Sequence, residues 1–348
     1  MIDEIGSEFF YSVIPHESGI LLPHAVKDFT YTFSGRTAIE TVLKNELHIK
    51  KVMLPSYCCD SMIEPFRKQG IIICFYGVNY VDRLQIDLSI EEDIDAILWC
   101  NYFGYNQKMP DLSSFIKRGG IVIEDITHSF YSEKKHDKQS DYLIASIRKW
   151  EPVLCGGYCA STKKKLSYKP FKLPSREYLE RKRHAMISKK EYLEGNILID
   201  KDEFLDDFSK SNKWLAENYS GLLIDQESLH ILDQIDYEEN VKKRRENAQE
   251  LYRGLKQCVS LNPLFDEELM DCPLFVPVIA SLEARNKIRD FLTTHAIYCP
   301  THWPKPNSDC ESNLYDIEIS LVCDQRYSVT DMIRIVKTIK EYEEINSN

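Results

Sequence analysis

The 348-residue sequence predicts an α/β fold: a large domain with a mostly parallel central sheet, followed by a smaller C-terminal α/β domain. Three observations carry this reading. Short apolar runs rich in β-branched residues alternate with helical patterns, the rhythm of strands joined by right-handed crossovers. Two of these runs end in charged pairs, Glu124-Asp125 and Arg148-Lys149, and open α/β sheets bind ligands beyond the carboxyl ends of their strands. The last hundred or so residues repeat the strand–helix alternation on a smaller scale. The expected organisation is an arm over residues 1–25, a large domain over 26–240 and a small domain over 241–348.

Taken in order, the arm is compositionally mixed, and Pro15 and Pro23 break any long element in it. It is expected to pack on the C-terminal part of the molecule. Tyr31 to Glu40 (YTFSGRTAIE) runs into the periodic apolar positions Ala38, Ile39, Val42, Leu43 and Leu47. Ser34 or Gly35 therefore opens a helix, whose first free N–H groups make an anion site. A strand over Val52–Leu54 and a helix ending near Lys68 follow, with Pro55-Ser56-Tyr57 between them. Ile71–Val78 and Ala96–Phe103 read as strands. Pro110-Asp111 starts a helix that Gly119-Gly120 stops. Ile121–Ile123 and Tyr142–Ile147 are short β-branched runs, hence buried strands.

Beyond Ser161, residues 175–193 and 201–218 read as charged helices. Glu227 to about Lys256 reads as one long amphipathic helix, with Arg244-Arg245-Glu246-Asn247 on its wet face. The small domain is read as a strand over Leu274–Ala280, a helix over Leu282–His295, a strand over Ile317–Val322, and a last helix capped by Ser328 or Thr330. Between them lies Tyr298-Cys299-Pro300-Thr301-His302-Trp303-Pro304.

The run Glu124-Asp125-Ile126-Thr127-His128-Ser129, then Ser146-Ile147-Arg148-Lys149, then Gly156-Gly157 resembles the core of fold-type-I enzymes that use pyridoxal 5'-phosphate (PLP). It looks most like the DegT/DnrJ/StrS-type sugar aminotransferases. The resemblance implies that Asp125 pairs with the pyridine nitrogen, that His128 reaches the ring hydroxyl, and that Lys149 forms the imine with the cofactor. It implies that Gly35, Arg36 and Thr37 hold the phosphate, with Ser146, which stands closer to the lysine than the family's phosphate serine does. Where the family stacks an aromatic ring on the cofactor, the aligned residue is Cys59, and Tyr57 is the expected stacker. His302 and Arg326 are expected to meet substrate, Arg326 through the carboxylate of an amino donor. The chemistry demands these residue types. A buried carboxylate keeps the pyridine nitrogen protonated, and the lysine must present a neutral amine that also moves a proton.

The net charge of −11 argues against nucleic acid and anionic membranes as partners. No apolar run approaches the ~20 residues of a membrane span, and the acidic start MIDEIGSEFFYS is not the pattern of a signal peptide. Eleven cysteines without paired CxxC spacing read as reduced core thiols of a cytoplasmic protein, with no metal site expected. The functional expectation is an aminotransferase that moves an amino group, from a donor such as glutamate, to a nucleotide-linked keto-sugar, working as a homodimer. The apolar segments 193–199 and 219–224 are expected to cover the partner. A small non-sugar keto acceptor, and a catalytically silent PLP-fold binding or regulatory protein, are the alternatives.

Overall fold

A computed structural model describes residues 3–12, 26–133 and 136–346. Pro15 and Pro23 lie outside the described residues. The arm contributes β1 (Ile5–Gly6) and the large domain opens with β2 (Asp28–Thr32) and α1 (Gly35–Asn45). Then come β3 (Lys51–Pro55), α2 (Asp60–Lys68), β4 (Ile72–Tyr80), β5 (Leu84–Asp87), β6 (Ala96–Cys100), α3 (Ser113–Lys117), β7 (Ile121–Asp125) and β8 (Tyr142–Ser146). A single 3-10 turn, Ile147–Lys149, follows β8 and precedes β9 (Gly157–Ser161).

These strands form one eight-stranded sheet in the order β2-β9-β8-β7-β6-β3-β4-β5. Five of them, β8, β7, β6, β3 and β4, run parallel. The outer strands β5 and β9 are antiparallel to their inner neighbours, and β2 is antiparallel to β9. Central strands read as continuous apolar runs because both faces are covered: all five residues of β6, AILWC, are buried. The chain leaves β3 for β4 on one side and returns as β6 on the other, which opens the crevice that ligands use.

Helices α4 (Arg176–Glu194) and α5 (Lys201–Asn218) pack on one another and are followed by α6 (Gln226–Asp233) and α7 (Tyr237–Leu255). The single helix expected from Glu227 to Lys256 is thus two. Asp236 stops the first pattern and caps the second, accepting from the Glu239 amide. The small domain holds β10 (Asn262–Pro263), β11 (Val276–Ile279), α8 (Leu282–Thr294), β12 (Ile297–Tyr298), α9 (Leu314–Ile317), β13 (Glu318–Leu321) and α10 (Val329–Asn346). Its sheet runs β10-β11-β13, and β1 of the arm pairs in parallel with β12.

The sequence reading missed β5 (Leu84–Asp87), the two-residue strands β1, β10 and β12, and two longer strands, β2 and β9. β2 and β9 pair along their whole length, but YTFSG and GGYCAS carry turn signals that mask a five-residue strand. The helix expected after Pro110 shrinks to the five residues of α3. No helix among the described residues is long and apolar enough to cross a membrane.

Candidate active site

Asp125 is the last residue of β7 and is buried. Its Oδ1 accepts the Thr127 amide at 2.8 Å, and burial pushes its carboxyl above the usual range. The chain then turns so that His128 faces the 3-10 turn after β8. Two bonds lock these segments together: Ser146 N–H donates to Thr127 Oγ1 at 3.0 Å, and Trp150 Nε1 donates to the Thr127 carbonyl at 2.6 Å. Lys149 is thereby held with its Nζ 3.1 Å from His128 Nε2.

The protons of this pair follow from geometry. His128 Nδ1 accepts the Phe103 amide at 3.2 Å, so in a neutral ring Nε2 carries the hydrogen and donates to Lys149. A donor facing Nζ requires the lone pair of a neutral amine. Burial points the same way, pushing the His128 pKa well down and lowering that of Lys149. A lysine poised as a free base is what imine chemistry and proton transfer need.

The cleft around this pair is narrow, about 80 Å³, and is lined by Ser34, Gly35, Arg36, Cys59, Asp125, His128, Ser146, Arg148, Lys149 and Trp303 among others. Gly35 opens α1, and Ser34 caps it, accepting from the Thr37 amide. Ser146 lies directly against this helix start: a Cβ on Gly35 would sit 3.4 Å from the Ser146 Cβ. The fold therefore brings Gly35, Arg36 and Ser146 together despite the short spacing of Ser146 to Lys149. Beside them Arg148 has a buried Nε without a hydrogen-bond partner among the described residues. A helix N-terminus, a serine and a guanidinium form an oxyanion cradle, so the donor set fits a phosphorylated pyridine: carboxylate, histidine and neutral amine at one end, phosphate donors at the other.

Arg36, Arg148 and Lys149 also line a second cavity of about 760 Å³. Its other walls are the arm residues Glu4 to Phe9, α4 and α5 through Lys189 and Phe204, and the small domain through Arg289, Tyr298 and His302. His302 thus stands at the site, its ring 5.3 Å from that of His128.

Several expectations are corrected. Tyr57 does not line the cleft; it is fully buried and packs on Tyr102, Trp303 and Tyr315. The ring at the cleft is Trp303, 5.3 Å from His128 and from Lys149 Nζ, and Cys59 lines the cleft rather than the core. Thr37 is engaged elsewhere: its amide donates to the capping Ser34 Oγ at 3.3 Å and its hydroxyl to the Tyr219 carbonyl at 2.9 Å. Arg326 lines the larger cavity, but both its edges are used, on Asp324 and on the carbonyls of Ser7 and Glu8. Arg244 is not on a wet face. It is fully buried, its guanidinium 4.5 Å over the Trp150 ring, with Nη1 donating to the carbonyls of Pro273 and Leu274. Sequence reasoning missed Arg148 and Trp303; their adjacency to Lys149 and His302 was the available signal.

No protein-family model and no curated protein sequence matches the chain. In three dimensions the chain has the fold of PLP-dependent aminotransferases. It covers 91% of itself and 87% of Spr1654 from Streptococcus pneumoniae, solved in a PLP form, at a TM-score of 0.63 and 15% identity. DesI, solved in the presence of its TDP-sugar product, aligns over 90% of this chain and 80% of its own at a TM-score of 0.62 and 12% identity. A DegT/DnrJ/EryC1/StrS aminotransferase from Brucella abortus aligns over 90% and 85% at a TM-score of 0.59 and 15% identity. Identities this low establish the shared fold alone.

Proposed function

We propose that this chain is a PLP-dependent aminotransferase that transfers an amino group from a donor such as glutamate to a keto-sugar linked to a nucleotide. The observation that carries the reading is the Lys149–His128 contact at 3.1 Å beside buried Asp125, at the carboxyl ends of parallel strands. The sugar substrate is supported by the similarly folded protein solved with a TDP-sugar product. When bound, PLP would supply an electron sink for the bond breaking at the substrate's amino-bearing carbon. Asp125 would hold the ring nitrogen protonated, and pairing with that charge offsets the burial that otherwise raises its pKa. Gly35, Arg36, Ser146 and Arg148 would bind the phosphate.

The chain's own groups do the rest. His128 donates from Nε2 and keeps Lys149 uncharged. Lys149 takes a proton at Nζ and returns it, a role worth ~10²–10⁴-fold in rate for a positioned base. Trp303 covers the cleft from the small domain and limits water. On the walls of the second cavity Lys201 is paired with Glu4 and Lys189 with the Glu8 carbonyl, which leaves the guanidinium groups of Arg148 and Arg289 to meet an anionic substrate. A small keto acid stays the alternative acceptor; a silent PLP-fold module is favoured only by Cys59 standing where the family has an aromatic ring.

The test is direct. Protein mixed with PLP should show a visible absorbance band that borohydride bleaches, leaving the label on the peptide containing Lys149. Lys149→Ala should lose the band and transamination of nucleotide-linked keto-sugars while keeping its fold. A variant that retains both would remove Lys149 from this role, and wild-type protein that stays colourless would support the silent module.

A further inference from the structure

His302 is anchored from one side only. Its Nδ1 lies 2.7 Å from Ser320 Oγ, whose hydroxyl reaches Glu318 Oε1 at 2.5 Å. Its backbone N–H donates to the other Glu318 oxygen at 2.7 Å. All three residues are buried, Glu318 and Ser320 completely. Nε2 has no hydrogen-bond partner among the described residues, and His302 lines the larger cavity. The chain Glu318–Ser320–His302 therefore runs from the interior of β13 to the cavity wall.

A serine between a carboxyl group and an imidazole can point its single hydrogen only one way. We propose that Glu318, acting through Ser320, decides which nitrogen of His302 carries the proton, and so whether Nε2 meets the cavity's occupant as a donor or an acceptor. When Glu318 is protonated it donates to Ser320 Oγ, Ser320 donates to Nδ1, and Nε2 keeps the hydrogen. When Glu318 is ionised, Ser320 donates to the carboxylate, Nδ1–H donates to Ser320, and Nε2 presents a lone pair.

Burial pushes the Glu318 carboxyl up to about 8, against the hydrogen bonds from Ser320 and the His302 amide, the charge of Arg285 on α8, and Tyr57. His302 itself is held far below its ordinary range by burial and by Lys149, with His128 packed against its ring. The ring thus stays neutral while Glu318 titrates. With the Glu318 carboxyl raised to about 8, the protonated form, and with it Nε2 as a donor, is the expected state at neutral pH. That suits an oxygen-rich, anionic occupant of the cavity. Glu318 and Ser320 are positioning residues; His302 makes the contact.

The proposal rests on the aminotransferase reading only for the identity of the occupant, because the tautomer can be read without cofactor or substrate. In 15N-histidine-labelled protein, His302→Gln locates the His302 ring signals. In the wild type, Nδ1 should be the pyridine-type nitrogen at pH 6.5, and the two nitrogens should exchange character as the pH passes about 8. Glu318→Gln donates its amide to Ser320 at every pH and should lock Nε2–H throughout. Ser320→Ala should abolish the coupling with Glu318 intact. A wild-type tautomer unchanged to pH 9.5, or exchange that persists in folded Ser320→Ala or Glu318→Gln protein, would overturn the proposal.

Discussion

At the residue scale, burial shifts titratable side chains in opposite directions, two histidines and two glutamates among them, and stability should record it. His128 and His302 stay neutral in the folded chain but take protons near pH 6.5 when unfolded. Below that pH the unfolded state binds more protons, so stability falls as pH drops. Glu318 and Glu151 are raised, to about 8 and about 7. Between roughly pH 4.5 and those values the folded state holds protons that the unfolded state has released. Stability therefore falls as pH rises through that window, by up to ~1.4 kcal/mol per unit for each group. Between about pH 4.5 and 6.5 the two pairs oppose one another, so urea unfolding followed from pH 5 to 9 should show the glutamates' decline only above pH 6.5, where the histidines no longer offset it. Glu318→Gln should flatten that decline; an unchanged decline would mean that Glu318 does not hold its proton at neutral pH.

At the element scale, the cleft depends on how closely β9 passes the turn before α1. Thr32 and Gly157 are paired across β2 and β9, and a Cβ on Gly157 would lie 2.4 Å from the Ser34 carbonyl carbon. That atom is backbone and cannot swing aside. Gly157→Ala should therefore push the Ser34–Gly35 turn out of place, costing ~1–3 kcal/mol as overpacking does. PLP affinity should fall with it, since that turn is the phosphate cradle. Thermal unfolding and titration with PLP measure the two effects; a stable variant with undiminished affinity would separate the cradle from this contact. Gly156-Gly157 was visible as a motif, but its reason was not, because the neighbour it must clear is more than a hundred residues earlier.

At the scale of the whole molecule, the proposed homodimer has a mixed footing. Of the two segments expected to cover a partner, 219–224 is folded into its own chain, with Tyr219, Leu222 and Ile224 buried. The loop between α4 and α5 is different: Ile197 is 96% and Leu198 86% exposed. Apolar side chains so far out of the core are the natural material of an interface. Sedimentation at micromolar concentration should give a dimer, and Ile197→Glu with Leu198→Glu should shift it toward monomer. A wild-type monomer with full activity would dispose of the shared assembly.

The parallel core and the placing of Asp125, His128 and Lys149 at neighbouring strand ends were readable in one dimension, because strands alternate with helices locally and these residues stand a few positions from the apolar runs that announce the strands. That Lys149 must be a neutral amine was expected from the chemistry, but what favours that state was not readable, since it depends on His128 accepting the Phe103 amide, a contact from a distant strand end. Tyr57 and Trp303 exchanged places for the same reason. Both are aromatic residues in short connecting segments, and only the packing of the small domain onto the large one decides which ring faces the cleft. Arg244 and Arg326, alike in sequence as charges on helix or loop, part company in three dimensions: one is enclosed over Trp150, the other clamped by Asp324. Local periodicity determined the elements; burial and partners contributed from distant segments determined what their polar groups can do.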